Sequence, residues 1–280
     1  MLALIITSLV WAISFGLIGN CLHGIPPEWS AMVRMAGAFL VFLPFIRKTS
    51  ISAALALMGI GAVQFGAMYL FYMEAFHYIP SYQVALLTTL TPLCIVLIAA
   101  LKTRKLSATS SAAALMAVLG GAGILWKGCS LSQEFAWGFL LVQISNICFA
   151  AGQIAYASLP SRLFGKNQHS IFAYAYLGAF LVTLPWGLES TNANTIKSIT
   201  PAQWSILAYL GIIASGLCFF LWNYGVRQVK PGTLAVMNNL KIPLAALSSI
   251  LLFGEHPDLT LLSTGCILIA AAFLITKQRR

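Results

Sequence analysis

The chain has 280 residues, of which 60% are hydrophobic and only 8% are charged. Soluble domains average about 45–50% apolar and about 25% charged residues, so a soluble globular protein and a disordered chain are both excluded. The net charge of +10 is the balance of 16 basic and 6 acidic residues. The basic residues are spread along the chain without forming a basic face, and no nucleic-acid partner is expected. The composition predicts an all-α integral membrane protein surrounded by the lipid bilayer.

Ten apolar segments follow one another along the chain. A bilayer core of about 30 Å needs about 20 helical residues per span, and each segment is of that order. The connections are short, which leaves no room for a soluble domain. The predicted transmembrane helices are residues 2–21, 28–46, 53–76, 81–101, 107–126, 136–158, 170–186, 204–226, 232–253 and 259–276.

Lysine and arginine residues divide unevenly between the two sides that these spans define. Twelve fall on the side that holds both termini, and two fall on the opposite side. Because cytoplasmic loops carry the excess of positive charge, both termini are expected in the cytoplasm and the protein in the cell (inner) membrane. The twelve are Arg47, Lys48, Lys102, Arg104, Lys105, Arg162, Lys166, Arg227, Lys230, Lys277, Arg279 and Arg280, and the two are Lys127 and Lys197.

The chain also contains an internal repeat. Residues 37–44 read GAFLVFLP and residues 178–185 read GAFLVTLP, in the second and the seventh predicted span. Each half has five spans, an odd number, so the two repeats, residues 1–130 and 131–280, must cross the membrane in opposite directions. Such inverted repeats are typical of secondary transporters, with a substrate site near the midplane where the halves meet.

The spacing of prolines repeats in the same order. Pro80 and Pro92 are twelve residues apart, and so are Pro231 and Pro243. A proline inside a helix removes a backbone donor and loosens the preceding turn. Pro92 and Pro243 are therefore predicted to be hinges at which the protein bends during transport.

Four segments, WAISFGLIG (11–19), MVRMAGAFLVFLP (32–44), AFHYIPSYQVALLTTLTP (75–92) and KPGTLAVMNNLKIPLAALSSILLFGE (230–255), carry a resemblance. They resemble the EamA-type members of the drug/metabolite transporter superfamily, and the resemblance covers nearly the whole chain. It implies ten helices in two inverted five-helix halves and export of amino acids or related metabolites. One departure is Thr103-Arg104, which stands where the second half has the usual Gly254-Glu255.

Ionisable residues inside a membrane are costly and are candidates for function. Lys241 lies halfway along the ninth span, two residues before Pro243 and three after Asn238, so an ammonium and an amide share one helix face. This pair suits a substrate carboxylate or phosphate. An ion pair with Glu74, or an ammonium that reaches toward the interface, is the alternative. For Arg34 a structural bond to carbonyls of a neighbouring helix is expected.

The third predicted span carries a second group of candidates near its outer end. Glu74 follows Tyr72 and lies beyond Gln64, and these three are predicted to bind substrate. The Glu74 carboxyl is a candidate for binding a substrate amine or for carrying a coupling proton, since burial raises the pKa of a carboxyl group. A structural pairing with Lys241 or Arg34, or a place at the membrane interface without a binding role, is the alternative.

A third group lies on the first and sixth predicted spans. Asn146 and Gln153 are seven residues apart and therefore share a helix face, while Trp11 and Ser14 lie at matching depth on the first span. Because corresponding helices of inverted halves meet near the substrate site, these four residues are predicted to line the pocket. Bonding between helices is the commoner use of such amides.

These features together predict a secondary transporter for a small carboxylate-bearing metabolite, an amino acid or a related compound, that works by alternating access across the cytoplasmic membrane. Organophosphates, nucleotide-type and S-adenosylmethionine-like compounds are alternative substrates, and a membrane-embedded enzyme or a scaffold is a third class. Neither a phosphate-binding glycine loop nor a catalytic constellation nor a cysteine–histidine cluster is present in the sequence. No catalytic residue, cofactor or metal is therefore expected, and the protein is either a monomer or a homodimer.

Overall fold

The computed structural model describes residues 1–79, 81–125, 132–164, 168–244 and 259–277, and within these ranges all regular structure is helical. Short helices at Leu43–Phe45, Ala75–His77, Ser161–Phe164 and Ala193–Ser198 lie between or beside the long ones. The long helices are α1 (Leu2–Cys21), α2 (Pro27–Phe42), α3 (Ile51–Gly61, Ala62–Ala67 and Met68–Glu74), α4 (Ser81–Thr88 and Thr91–Thr103), α5 (Ala108–Leu125), α6 (Gln133–Ala157), α7 (His169–Glu189), α8 (Pro201–Tyr209, Leu210–Leu217 and Cys218–Val226), α9 (Pro231–Asn239) and α10 (Leu259–Lys277).

Many of these helices have the length and composition of transmembrane segments. Shorter apolar helices cover Leu2–Ile18, Ala108–Ala122 and Leu262–Ile275. Large apolar side chains on the outer surface, such as Leu40 and Leu101, suit a lipid environment. The predicted class, an all-α multi-pass membrane protein, is thereby confirmed. In the described part of the chain, six helices are long and apolar enough to cross a membrane: Pro27–Phe45, Ile51–His77, Leu86–Thr103, Gln133–Ala157, His169–Glu189 and Pro201–Val226.

Two predicted spans are not continuous helices. α4 is interrupted at Thr89 and Leu90, just before Pro92, and α9 ends at Asn239 before a further turn that contains Pro243. The cause is the proline, which cannot donate a backbone hydrogen bond and whose ring clashes with the preceding turn. Pro80, and the end of the predicted span 232–253, lie outside the described residues.

Helix ends follow local hydrogen-bonding chemistry. The Ser132 side chain accepts from the Phe135 amide at the start of α6, and Thr200 and Gln203 form a reciprocal capping box at the start of α8. At the end of α4, Arg104 has a φ of 54°. This left-handed conformation favours glycine, so Arg104 adopts the helix-ending geometry in the half that lacks the Gly-Glu pair.

The helices of residues 1–130 interleave with those of residues 131–280. α7 packs against α2 and α3, α10 against α5, and α9 against α4. α3 and α8 each contain a π-helical stretch, Ala62–Ala67 and Leu210–Leu217. The first stretch contacts α6 and α7, and the second contacts α1 and α2.

Candidate functional site

A cavity of about 600 Å³, counted with its open mouth, lies between the two sets of helices. α1, α2, α3, α4, α6 and α8 contribute to its wall, together with the turn after α9. The lining residues are Trp11, Ser14, Ile18, Arg34, Met68, Tyr69, Tyr72, Thr88, Thr91, Ser145, Asn146, Phe149, Phe219 and Lys241.

One side of the cavity is an aromatic wall. The Trp11 ring centroid lies 5.9 Å from that of Phe149 and 5.1 Å from that of Phe219, both in edge-to-face geometry. Trp11 Nε1 donates to the Ala214 carbonyl at 2.8 Å, and Ala214 belongs to the π-helical stretch of α8. Between α6 and α3, Ser145 Oγ donates to the Met68 carbonyl at 3.0 Å. Met68 directly follows the π-helical stretch of α3. Irregular helix geometry therefore supplies carbonyls that hold pocket side chains in place.

Another part of the wall is built on the interruption of α4. Asn146 Nδ2 donates to the Leu87 carbonyl at 3.0 Å, and Thr91 Oγ1 donates to Asn146 Oδ1 at 2.9 Å. From α9, Asn239 Nδ2 donates to the Thr89 carbonyl at 3.0 Å. The Leu87 carbonyl also accepts from the Leu90 amide at 3.2 Å, so these amides add side-chain donors to carbonyls at the interruption of α4.

Two cations, and no acid among the described lining residues, give the cavity a positive field. Arg34 is 1% exposed and Lys241 is 8% exposed. Arg34 Nε donates to Ser215 Oγ at 3.2 Å and its Nη2 donates to Tyr69 Oη at 2.5 Å. The Lys241 Nζ lies 5.9 Å from the centroid of the Trp11 ring. A low-dielectric cavity with this charge favours an anionic ligand.

The cavity brings together five of the residues predicted to bind substrate, namely Trp11, Ser14, Tyr72, Asn146 and Lys241. Two other candidates, Gln153 and Asn238, are fully buried outside its wall. Their amides pair with each other, with Asn238 Nδ2 donating to Gln153 Oε1 at 3.3 Å. The reason is that amides in an apolar interior satisfy one another first, so these two join α6 to α9.

Gln64 and Glu74 also lie away from the cavity. Gln64 is fully buried in the π-helical stretch of α3, where it packs against Gly152 of α6. Glu74 ends α3, its side chain is 33% exposed, and it pairs with His77 at 3.2 Å. Glu74 therefore does not line the cavity, and α3 places it within the last turns of the candidate membrane span Ile51–His77. With Glu28, these two residues form a surface group whose potential ligand atoms lie within 4.8 Å of one another.

Sequence reasoning missed several wall residues. Arg34 bonds to side chains of α3 and α8 rather than to carbonyls, and it lines the cavity. Tyr69 and Phe149 carried a usable signal, since each lies three residues from a candidate on the same helix, Tyr72 and Asn146. Nothing in the sequence distinguished Phe219 from other apolar residues.

The comparisons with known proteins agree with this architecture. The sequence profile of the EamA-like transporter family matches residues 1–126 and again residues 136–277. The biotin transporters of Salmonella typhimurium and of Escherichia coli strain K12 are each 39% identical over 283 residues, which is 99% of this chain and 93% of theirs. A probable biotin transporter of Pseudomonas aeruginosa is 37% identical over 284 residues, 99% of this chain and 97% of its own.

Among solved structures, the crystal structure of a protein that is 20% identical superposes with a TM-score of 0.78. The match covers 98% of this chain and 95% of that one, and at this identity it shows a shared fold alone.

These relatives correct the substrate expected from the sequence. An amino acid or related compound is contradicted, and so are organophosphates, nucleotide-type and S-adenosylmethionine-like compounds, because the full-length relatives are named biotin transporters. The error came from taking an intramembrane lysine as the mark of a small anion, when the walls around it are mostly aromatic and apolar. The resemblance in both halves is confirmed by profile matches that together span nearly the whole sequence, and the chain belongs to the EamA-like transporter family of the drug/metabolite transporter superfamily.

Proposed function

We propose that this protein is a biotin transporter. The observation that carries the proposal is the 39% identity, over 99% of the chain, to proteins named as biotin transporters. Identity at this level along the whole length includes every helix that contributes to the cavity.

The chemistry of the cavity supports the same substrate. Biotin has a polar cyclic urea fused to an apolar sulfur-containing ring, an aliphatic chain and one carboxylate at the end of that chain. The aromatic wall of Trp11, Phe149 and Phe219 provides apolar surface for the ring and chain. Arg34 and Lys241 supply positive charge for the carboxylate, and apolar pockets with a few placed polar groups are the usual form of such sites.

The architecture proposed for this carrier has ten transmembrane helices in two inverted repeats, residues 1–130 and 131–280. Three observations support it: the family profile matches the chain twice, α3 and α8 each contain a π-helical stretch, and α2/α7, α5/α10 and α4/α9 pack as pairs. The excess of Lys and Arg on one side supports cytoplasmic termini and a location in the cell (inner) membrane.

The proposed cycle is that of a carrier and not of an enzyme. The interruptions of α4 and α9 lie beside the cavity, next to Pro92 and Pro243. Bending at these prolines would change the access of Thr91 and Lys241 to the two sides of the membrane. Transporters commonly place such discontinuous helices at the substrate site.

A counterflow assay tests the proposed substrate without requiring knowledge of the energy source or direction. The purified protein is reconstituted into liposomes that are loaded with unlabelled biotin, and labelled biotin is added outside. We expect saturable accumulation of label that excess unlabelled biotin abolishes, with no accumulation in protein-free liposomes. Accumulation of labelled leucine in leucine-loaded liposomes, with no accumulation of labelled biotin in biotin-loaded ones, would contradict the proposal.

A further inference from the structure

Arg34 is the most fully buried charge in the cavity wall, and its guanidinium is held in one orientation. Its Nε donates to Ser215 of α8 and its Nη2 to Tyr69 of α3. The Tyr69 ring also lies beneath it, with 4.3 Å between Arg34 Cζ and the ring centroid, a distance at which cation–π attraction is favourable. Two helices therefore fix the plane of the guanidinium before any ligand arrives.

The third nitrogen of this guanidinium, unlike the other two, makes no hydrogen bond to the described residues. Arg34 Nη1 is buried and has no hydrogen-bond partner among the described residues, although it carries two N–H donors. No carboxylate of the described residues pairs with Arg34, since the carboxylate of Glu74 is taken by His77. A buried donor without an acceptor is destabilising, and more so when it is charged.

We propose that Arg34 binds the substrate carboxylate through Nη1, and this inference rests on the function proposed above. A carboxylate oxygen at that place would satisfy the buried donor and neutralise the buried charge together. Arginine forms the stronger, geometrically defined bond with a carboxylate, whereas lysine acts as a compact point charge. Lys241, over the Trp11 ring, adds to the positive field and contacts the remainder of the substrate.

The assignment has a direct consequence for specificity. A ligand that keeps the rings and chain of biotin but has a neutral end leaves Nη1 without its acceptor. Biotinamide, in which the carboxylate is replaced by a carboxamide, is such a ligand. Hydrogen bonds to charged groups contribute enough to change affinity by roughly 10- to 100-fold, and wild-type protein should prefer biotin over biotinamide by that factor.

The test measures competition of biotin and biotinamide against labelled biotin for binding to purified protein. In Arg34→Gln the preference for biotin should disappear, because biotin falls to the affinity of biotinamide. In Lys241→Gln both ligands should weaken while the preference remains. Arg47→Gln, which changes an exposed arginine that does not line the cavity, is the matched control and should bind both ligands as wild type does.

The outcomes are separable. Failure of the wild-type protein to bind biotin would refute the proposed function itself. Binding of biotin with no preference over biotinamide, or a preference lost in Lys241→Gln and kept in Arg34→Gln, would overturn the role of Arg34 alone. If Arg34→Gln does not give a monodisperse protein, Arg34→Lys serves instead, and biotin affinity equal to wild type in that variant would equally overturn the inference.

Discussion

Gly178 is the position at which the packing of the two halves can be tested most sharply. The backbones of α7 and α3 meet there: a Cβ placed on Gly178 would lie 2.6 Å from the carbonyl carbon of Met58 and 2.7 Å from its Cα. Real Cβ atoms essentially never approach closer than 3.0 Å, and these neighbours are backbone atoms that cannot rotate away. Gly178→Ala must therefore push α7 and α3 apart.

Overpacking a tight contact costs about 1–3 kcal/mol, and the rigid backbone partner of Gly178 places this variant near the upper end. For a protein of this size such a loss lowers the melting temperature by roughly 6–12 °C. The measurement is the fraction of monodisperse protein that remains after heating in detergent, followed by gel filtration with fluorescence detection.

The repeat supplies a matched control with the same sequence motif. Gly37 occupies the corresponding place in α2, but a Cβ there would lie 3.4 Å from Gly211 Cα, an ordinary contact. Gly37→Ala should keep the wild-type melting temperature. Gly59→Ala, where no atom lies within 4 Å of the new Cβ, should gain up to about 1 kcal/mol from helix propensity. A Gly178→Ala protein that melts with these controls would refute the close backbone contact.

Three further predictions concern orientation, charge and the broken helix. Single cysteines at Arg104 and at Glu189 should react with a membrane-impermeant thiol reagent from opposite sides, and labelling from one side would contradict the proposed topology. Lys241→Gln should reduce biotin counterflow about tenfold at low substrate concentration and leave folding normal, because it removes one of two buried cations. Lys241→Arg should restore only part of the counterflow. A loss of folding together with transport would indicate that the lysine is structural. Asn239→Ala should lower the free energy of unfolding by about 1–3 kcal/mol, since the carbonyls of Thr89 and Ala117 lose the side-chain donor that joins them. An unchanged melting temperature would show that water replaces the lost amide.

The helices were largely predictable from the sequence because the bilayer imposes a simple rule, that about 20 apolar residues form one helix. The interruptions of α4 and α9 also left a signal in Pro92 and Pro243, although the predicted spans ran straight through them. That rule does not say which helix lies beside which, because the arrangement of the helices depends on packing between residues far apart in the chain. Close contacts such as Gly178 with Met58 leave no local pattern.

The cavity wall was predictable where one residue combines a mid-span position with suitable chemistry, as Lys241 and Trp11 do. Its limits were not predictable where two polar residues satisfy each other, because the sequence around Gln153 and Asn238 is the same whether their amides face a cavity or one another. Arg34 was assigned to structure alone, and its place in the cavity wall depends on Ser215 and Tyr69, which come from helices distant in sequence. The substrate proposed here rests on the likeness to full-length relatives, and no single residue of the sequence indicated it.

The two π-helical stretches limit where residues can be inserted into this chain or deleted from it. A π turn holds one residue more than an α turn, and one residue corresponds to about 100° of rotation around a helix. Deleting a single residue within Leu210–Leu217 would restore ordinary α-helix and turn the following stretch by that angle, carrying Phe219 out of the cavity wall and Trp222 away from Trp11. The same deletion within Ala62–Ala67 would displace Tyr69 and Tyr72. Insertions and deletions are therefore tolerable in connections such as residues 190–200, whereas the lengths of these two π-helical stretches are fixed by the pocket that they orient.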